Sequence, residues 1–287
     1  MTGRSAAPLA LGSTRIGSRT FRWGERTFVM GIVNVTPDSF SGDGLVGVGG
    51  PGAAIDRAVS QAVRMVAEGA DLLDVGGEST RPGHAPVAEA EELERVIPVV
   101  AAIHAALPEV PISVDTTKPA VAAAALDAGA TLLNDIWAVG AADDLPRLAA
   151  ERGSPMIVMH NRAEPTYTDL VPEIVADLDR AIERAVRLGC PRESLIVDPG
   201  FGFGKTPDHN LRLLRDLREL RVLGRPILLG TSRKSTLGRV LDLPPEERLE
   251  ATLATTALGI AAGVDVVRVH DVQANVRAAR LTDAIVR

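Results

Sequence analysis

Apolar residues recur along the chain in eight short runs, and each run ends next to polar residues. Runs of this length that are apolar throughout are typical of strands buried on both faces, as in parallel sheets. The segments between the runs carry apolar residues at helical spacing, so a strand–helix pattern repeats along the chain. The runs are residues 28–35, 71–77, 111–116, 131–136, 156–160, 195–200, 226–232 and 266–271.

This alternation predicts a fold of the α/β class, a single (β/α)8 TIM barrel. Right-handed crossovers make all the strands parallel, so their carboxyl ends meet at one mouth of the barrel. The repeats fill most of the 287 residues, and we predict a flexible N-terminal tail over residues 1–20 and one barrel domain over residues 21–287. A short hairpin formed by residues 20–23 and 26–30 is expected to precede the first barrel strand.

Glycine and proline indicate where the predicted helices start and stop. Gly129 and Gly189 are placed to end helices, Pro119 is placed to open one, and Pro98 is expected to bend or break another. The predicted helices cover residues 53–68, 88–107, 118–129, 170–188, 236–241, 246–262 and 272–286.

Two segments that follow predicted strands are long for this fold, residues 36–52 and 79–87. The first contains six glycines. Long loops at the catalytic end of a barrel are commonly lids that order over bound substrates. For residues 47–52 we favour the simpler interpretation, a tolerated surface insertion.

Composition and charge indicate which kinds of partner the protein can bind and in which cellular compartment it is found. The formal net charge of −6 argues against a basic nucleic-acid-binding surface, and no apolar run approaches the roughly 18 residues of a membrane span. The sole cysteine, Cys190, permits no internal disulfide and fits a reducing compartment. We therefore predict a cytoplasmic protein whose partners are neither nucleic acid nor membrane.

The polar residues at the strand ends are the candidates for chemistry. Barrel strands alternate between the lumen and the helix layer, so Asp115 shares a face with Ser113, and Arg268 shares one with His270. Such side chains can point into the mouth together. The strand-end residues are Asn34, Asp74 with Glu78, Asp115, Asn134 with Asp135, His160, Asp198, Lys234 and Arg268 with His270.

The most distinctive segment is residues 198–205, which reads DPGFGFGK. It is not a phosphate-binding P-loop, because Pro199 stands where that motif requires glycine. A strand-end carboxylate before a glycine-rich turn with two aromatic rings suits a flat heterocycle instead. Asp198 can accept hydrogen bonds from adjacent ring N–H and amine groups, and Phe203 can lie near a second ring. The alternative is a structural aspartate that caps the following turn.

Two further groups of residues suit anion binding. Arg268 and His270 at the end of the last strand are placed to bind phosphate. The alternative is a salt bridge across the mouth to Asp271 or Asp115. Ser235 is expected to cap the helix after the seventh strand, and Lys234 lies beside it, where a point charge can bind an anion.

The remaining signals are weaker. The chain has only three lysines, and chance remains an open explanation for the positions of Lys118 and Lys205. His160 ends the fifth run, but a lone histidine there is more often a satisfied structural residue than a catalyst. The sequence contains no cluster of cysteine and histidine with the spacing of a zinc site.

Taken together, the motifs resemble those of dihydropteroate synthases, the folate-pathway enzymes targeted by sulfonamides. The resemblance extends from about residue 27 to residue 287. It departs from the family pattern in the first loop, where Asp43 is shifted by one position, and at Trp137, where smaller residues are commoner. The motifs are residues 30–40 (MGIVNVTPDSF), 74–83 (DVGGESTRPG), 113–116 (SVDT), 133–136 (LNDI), 198–205 (DPGFGFGK), 231–235 (TSRKS) and 268–271 (RVHD).

The resemblance implies a reaction and a homodimer formed through the last helices. The family condenses 6-hydroxymethyl-7,8-dihydropterin diphosphate with 4-aminobenzoate to give 7,8-dihydropteroate and diphosphate. Mg²⁺ is implied as the cofactor, bridging Asn34 and phosphate oxygens. The implied site residues are Asp115, Asn134, Asp198 and Lys234 for the pterin, Asn34, Arg268 and His270 for the diphosphate, and Thr80, Arg81, Pro82, Phe203, Lys234 and Ser235 for 4-aminobenzoate; Asp115, Lys234, Arg268 and His270 would be catalytic.

Two other functions stay open on sequence grounds. One is methyl transfer from methyltetrahydrofolate to a corrinoid protein, on the same kind of pterin-binding barrel. That reaction gives no reason for the pair Arg268 and His270. The other is a catalytically inactive barrel that serves as a binding module, which the complete set of polar residues disfavours.

Overall fold

The computed structural model describes residues 11–35, 50–78, 87–140 and 142–287. The strands are β1 (Ser13–Ile16), β2 (Arg19–Arg22), β3 (Phe28–Asn34), β4 (Leu72–Gly76), β5 (Ile112–Asp115), β6 (Leu132–Asp135), β7 (Met156–Met159), β8 (Leu195–Asp198), β9 (Leu228–Leu229) and β10 (Val266–Val269). The α-helices are α1 (Gly50–Ala67), α2 (Glu89–Ala106), α3 (Pro119–Asp127), α4 (Asp144–Arg152), α5 (Leu170–Arg187), α6 (Pro207–Arg215), α7 (Ser235–Leu241), α8 (Leu249–Ala262) and α9 (Val272–Val286). Short 3₁₀ helices cover Arg192–Ser194, Leu217–Leu223 and Pro245–Glu247.

Strands β3 to β10 form one parallel sheet that closes on itself. Their order is β8-β7-β6-β5-β4-β3-β10-β9. The two edges meet through a parallel bridge between Val197 and Ile227, where the Val197 N–H donates to the carbonyl of Pro226 at 2.9 Å. The predicted (β/α)8 TIM barrel is therefore confirmed, and the strand ends share one mouth.

The lumen is apolar at its base and polar toward the mouth. Side chains two positions apart on a strand share a face. The residue two positions after each lumen-facing apolar residue therefore also faces the lumen, nearer the mouth. Leu72 is followed by Asp74, Leu132 by Asn134, and Ile196 by Asp198. The apolar base is a separate cluster that includes Met30, Leu72, Leu132, Ile157, Ile196, Leu228 and Val266.

The N-terminal hairpin differs from the predicted one. It pairs β1 with β2 in antiparallel register, with Ile16 opposite Arg19, so residues 13–19 belong to ordered structure and not to a tail. The predicted second strand leads directly into β3, which pairs with β4 and β10 in the barrel. The hairpin closes the base of the lumen, because the rings of Phe21 and Phe28 lie 4.8 Å apart and extend the apolar cluster.

Seven of the helices correspond to the predicted spans, whereas the sequence analysis did not predict α4 and α6. Helix α1 begins at Gly50, three residues before the predicted start. Helix α2 continues through Pro98, so the expected break does not occur. Pro98 is exposed, and the carbonyl that loses its helical partner can therefore bond to water.

We predict that Phe21→Ala destabilises the fold without altering the mouth. Phe21 is 2% exposed, and truncating a buried phenylalanine costs about 3–5 kcal/mol of unfolding free energy. Urea unfolding measures the loss. The matched control is Arg22→Ala on the same strand, whose side chain is 71% exposed and which should change stability by less than about 0.5 kcal/mol. Equal effects of the two variants would contradict the role assigned to the hairpin.

Candidate active site

Arg268 lies at the centre of the polar lumen and joins two neighbouring strands to β10. Its Nε donates to Asp74 Oδ2 at 2.6 Å and its Nη2 donates to Asp115 Oδ2 at 2.9 Å. Burial lowers the pKa of Arg268, but the two carboxylates outweigh that effect and the pKa is raised overall. The guanidinium is thus a fixed positive charge. The salt bridge between Arg268 and Asp115, which the sequence analysis gives as an alternative to phosphate binding, is present.

Asp74 is a central residue that the sequence analysis named at a strand end but did not place in the site. It is fully buried, and besides Arg268 it accepts a hydrogen bond from Asn134 Nδ2 at 3.2 Å. Asp74 holds the two predicted ligand-binding side chains in place. The available signal was its position on the same face as Gly76, which pairs with Asp115 in the sheet.

Asp115 carries an unsatisfied acceptor in the lumen. Its Oδ1 is buried and has no hydrogen-bond partner in the described structure, and the same holds for the hydroxyl of Ser113. Burial raises the pKa of Asp115, while the charge of Arg268 opposes the rise. Buried polar atoms are nearly always hydrogen-bonded, so these atoms indicate that a polar ligand completes the lumen.

Asp198 combines a structural role with a free acceptor. Its Oδ1 accepts a hydrogen bond from the N–H of Gly200 at 2.7 Å, so the expected alternative, an aspartate that caps its own turn, is correct. Its Oδ2 makes no hydrogen bond within the described residues, and this oxygen can still accept one from a ligand. Burial raises the pKa of Asp198 to about 6.

The glycine-rich turn after Asp198 is tightly packed. A Cβ on Gly200 would lie 1.8 Å from the carbonyl oxygen of His160, at a positive φ of 68°, so only glycine fits there. The two phenylalanines of the turn have different environments. Phe201 is buried in the core, whereas the half-buried ring of Phe203 lies under Lys234, whose Nζ is 3.8 Å from the ring centroid.

The segment after β9 places Lys234 and Ser235 differently from the prediction. Lys234 occupies the N-cap position of α7, and no side chain caps the helix. Ser235 is the exposed first residue of α7, so the expectation that it caps this helix is wrong. The cause is Arg233, which has a left-handed φ of 57° and is fixed there by bonds to Asp271.

His270 lies directly after β10 and contacts Ser232. The Ser232 hydroxyl oxygen accepts the backbone N–H of His270 at 3.2 Å and lies 2.9 Å from its Nδ1. When that hydroxyl donates to Nδ1, the proton of the neutral imidazole is on Nε2, which can then donate to an anion. Ser232 is a second residue that the predicted site omitted. Asp271 pairs with Arg233 and not with Arg268.

The other predicted site residues lie near the two undescribed loops or within them. Asn34 ends β3 next to Gly76 and is half-buried at the mouth. Thr80, Arg81 and Pro82, like Asp43 and the greater part of the two long loops, lie outside the described residues. The described ranges contain no group of three or more acidic, histidine or cysteine side chains suited to a metal ion. Their helices include none with the length and apolar character needed to cross a membrane.

His160 and Lys118 have structural roles. His160 is fully buried and bonded at both ring nitrogens, to Asp177 and to Lys205, as expected of a satisfied histidine. Lys118 bridges Glu78 and Glu92. Neither side chain is placed to react with a ligand in the lumen.

The fold and the polar mouth define a pterin-binding barrel enzyme: the protein family described as pterin binding enzyme matches residues 30–270. A dihydropteroate synthase from Clostridium beijerinckii is 49% identical over 274 residues, which cover 95% of this chain and 99% of the relative. The chain belongs to the dihydropteroate synthase family and is accordingly a transferase, as the sequence motifs indicated.

Solved structures of this family agree in fold. A dihydropteroate synthase from Clostridium difficile, crystallised in the presence of pteroic acid, matches with a TM-score of 0.87 at 47% identity over 93% of this chain and 99% of that one. The enzyme from Xanthomonas albilineans, solved with 4-aminobenzoic acid, matches with a TM-score of 0.87 at 40% identity over 95% and 97% of the two chains.

We predict that pterin affinity rises as the pH increases through about 6. The carboxylate form of Asp198 accepts hydrogen bonds from the pterin, and with a pKa near 6 that form predominates only above this pH. Asp198→Asn should lower pterin affinity at least about tenfold, because an amide N–H would face a donor, and should weaken this pH dependence. Calorimetric titration from about pH 5 to about pH 8 tests both effects. Unchanged affinity of the variant would exclude Asp198 from the site.

Proposed function

We propose that the chain condenses 6-hydroxymethyl-7,8-dihydropterin diphosphate with 4-aminobenzoate in the cytoplasm. The observation that supports this proposal is the combination of two kinds of polar group in the lumen. Buried acceptors without a hydrogen-bond partner in the described structure lie on β5, at Asp115 Oδ1 and the Ser113 hydroxyl. The Arg268 guanidinium and the His270 imidazole come from the end of β10. A site built for the pterin alone would not require the second group.

The pterin ring is proposed to bind in the lumen between Asp115, Asn134, Asp198 and Lys234. Asp115 Oδ1 is buried without a hydrogen-bond partner in the described structure, and Asp198 bonds to Gly200 through Oδ1. Each carboxylate would thus offer an oxygen to the amine and ring N–H groups of a pterin. Asn134 is oriented by Asp74, so its amide oxygen is left to accept from the ring.

Diphosphate is proposed to bind between Asn34, Arg268 and His270 with Mg²⁺. A single amide oxygen with phosphate oxygens and water fits the usual coordination of Mg²⁺, which favours substrate phosphates over all-protein cages. When bound, Mg²⁺ would neutralise charge on the leaving diphosphate.

The chemistry requires no enzyme nucleophile. The bond between the methylene carbon and the diphosphate oxygen breaks, and the electron pair leaves with diphosphate, whose charge Arg268 and His270 balance. The pterin methylene carries the resulting positive charge, and the Asp115 carboxylate stabilises it from the lumen. The amine lone pair of 4-aminobenzoate then forms the new carbon–nitrogen bond, and the amine loses a proton.

The 4-aminobenzoate is proposed to bind nearer the rim of the mouth. Phe203 offers a ring face, and Lys234 and Ser235 lie beside it at the start of α7. Thr80, Arg81 and Pro82 are assigned to the same pocket by the family resemblance. Lys234 would then lie between the pterin and the second substrate.

Release of diphosphate on mixing the two substrates with Mg²⁺ tests the function. Methyl transfer to a corrinoid protein and a pure binding module would both release none. We predict that His270→Ala lowers the kcat/KM for the pterin diphosphate about 10²- to 10³-fold, as expected when one preorganised donor to a leaving group is lost. His104 in α2 supplies the matched histidine control, and His104→Ala should leave the rate unchanged. Undiminished diphosphate release by the His270 variant would remove that residue from the mechanism.

The protein is also proposed to be a homodimer through its last helices. Leu258 on α8 and Leu281 and Ile285 on α9 are between 62% and 74% exposed, which is costly for large apolar side chains on paired neighbouring helices. Light scattering after gel filtration should give twice the monomer mass. Leu281→Glu should shift the protein toward the monomer, whereas a monomeric parent protein would contradict the proposal.

A further inference from the structure

We propose that Lys205 is a positioning residue that holds Phe203 in the 4-aminobenzoate pocket, acting through the backbone of the glycine-rich turn. The inference rests on the function proposed above. Lys205 ends the turn, residues 198–205, and its ammonium group folds back underneath it.

The Lys205 ammonium satisfies three acceptors at once. Its Nζ donates to the carbonyl oxygens of Gly200 and Phe203, each at 3.0 Å, and lies 3.0 Å from His160 Nδ1. An ammonium has three protons and no acceptor, so the charged form of Lys205 donates all three here. Burial lowers the pKa of Lys205 to about 7. The side chain thus links both ends of the turn to the segment that follows β7.

His160 is held in the form that this contact requires. Its Nε2 lies 3.1 Å from Asp177 Oδ2, and burial, together with the charge of Lys205, lowers the pKa of His160. A neutral imidazole that donates to Asp177 from Nε2 has its lone pair on Nδ1, where Lys205 donates. Asp177 in α5 is itself fixed by Arg162.

The turn also packs closely against the segment that follows β7. A Cβ on Gly204 would lie 2.3 Å from the carbonyl oxygen of Arg162, and the Tyr167 hydroxyl donates to the carbonyl of Gly204 at 2.8 Å. The turn therefore rests against residues 160–167 along its length. Lys205 and the Tyr167 hydroxyl supply polar links in this contact.

Lys205 acts on Phe203 more than on Asp198. Asp198 is fixed independently by the sheet, because it pairs with Met159 and accepts the His160 N–H at 2.9 Å. Phe203 belongs to no strand; its backbone N–H donates to the Gly200 carbonyl, and its own carbonyl accepts from Lys205. Loss of the ammonium should therefore move the Phe203 ring, and with it the contact to Lys234, while the pterin acceptor stays in place.

The first test is Lys205→Met, which keeps the length of the side chain and removes its three donors. We expect the KM for 4-aminobenzoate to rise about tenfold or more, and the KM for the pterin diphosphate to change less than about twofold. The matched control is Asp283→Ala at the opposite end of the barrel, which loses two partly buried hydrogen bonds to Thr27. It should lower stability and leave both KM values unchanged. Equal increases in the two KM values for Lys205→Met would overturn the proposal.

A second pair of variants tests the same link from His160. His160→Asn retains an acceptor near the position of Nδ1, and His160→Leu removes it. We expect the asparagine variant to keep a KM for 4-aminobenzoate close to that of the parent protein, and the leucine variant to reproduce the effect of Lys205→Met. Identical KM values in the two variants would overturn the proposal, even if Lys205→Met did not fold. A parent protein that released no diphosphate would refute the proposed function instead.

Discussion

The site depends on the placement of one guanidinium between two carboxylates inside a barrel. Arg268 on β10 bonds Asp74 on β4 and Asp115 on β5, and none of the three charges could stay in this lumen without the others. Removing one member of a buried ion pair leaves an uncompensated charge and is strongly destabilising. The same network orients Asn134 and leaves Asp115 Oδ1 without a partner. Fold stability and ligand recognition therefore rest on the same residues.

Much of this arrangement can be predicted from the sequence, because in a barrel the alternation of residues along a strand determines which side chains face the lumen. The runs that contain Asp115, Asn134 and Asp198 end within two residues of the observed strands, and alternation alone places these side chains in the lumen. The pairing of Arg268 with Asp74 was not predicted. The two residues are 194 positions apart, and the choice among several carboxylates at the mouth depends on the register of strands that no local pattern specifies.

The predictions for the N-terminal tail and for the helix cap at Ser235 were wrong, and both errors have local physical causes. Strand β1, with the sequence STRI, has little apolar signal, and its pairing depends on the aromatic rings that close the base of the barrel. Ser235 failed to cap α7 because Arg233 adopts a left-handed conformation fixed by Asp271, a contact between residues from two different loops. The chemical identity of the substrates came from the family resemblance and not from spacing or periodicity, since a polar mouth of this kind accommodates many heterocycles.

The hairpin at the base of the barrel determines how molecules enter and leave. Phe21 and Phe28 fill the amino-terminal end of the lumen, so exchange with solvent takes place at the other mouth. A ring bound deep among Asp115, Asn134 and Asp198 lies behind anything bound at Phe203 and Lys234. In the proposed arrangement the pterin would enter before the arylamine, and the joined product would leave with its arylamine end first, after diphosphate. A barrel that is closed at one end would thus determine the order in which its substrates bind and its products leave.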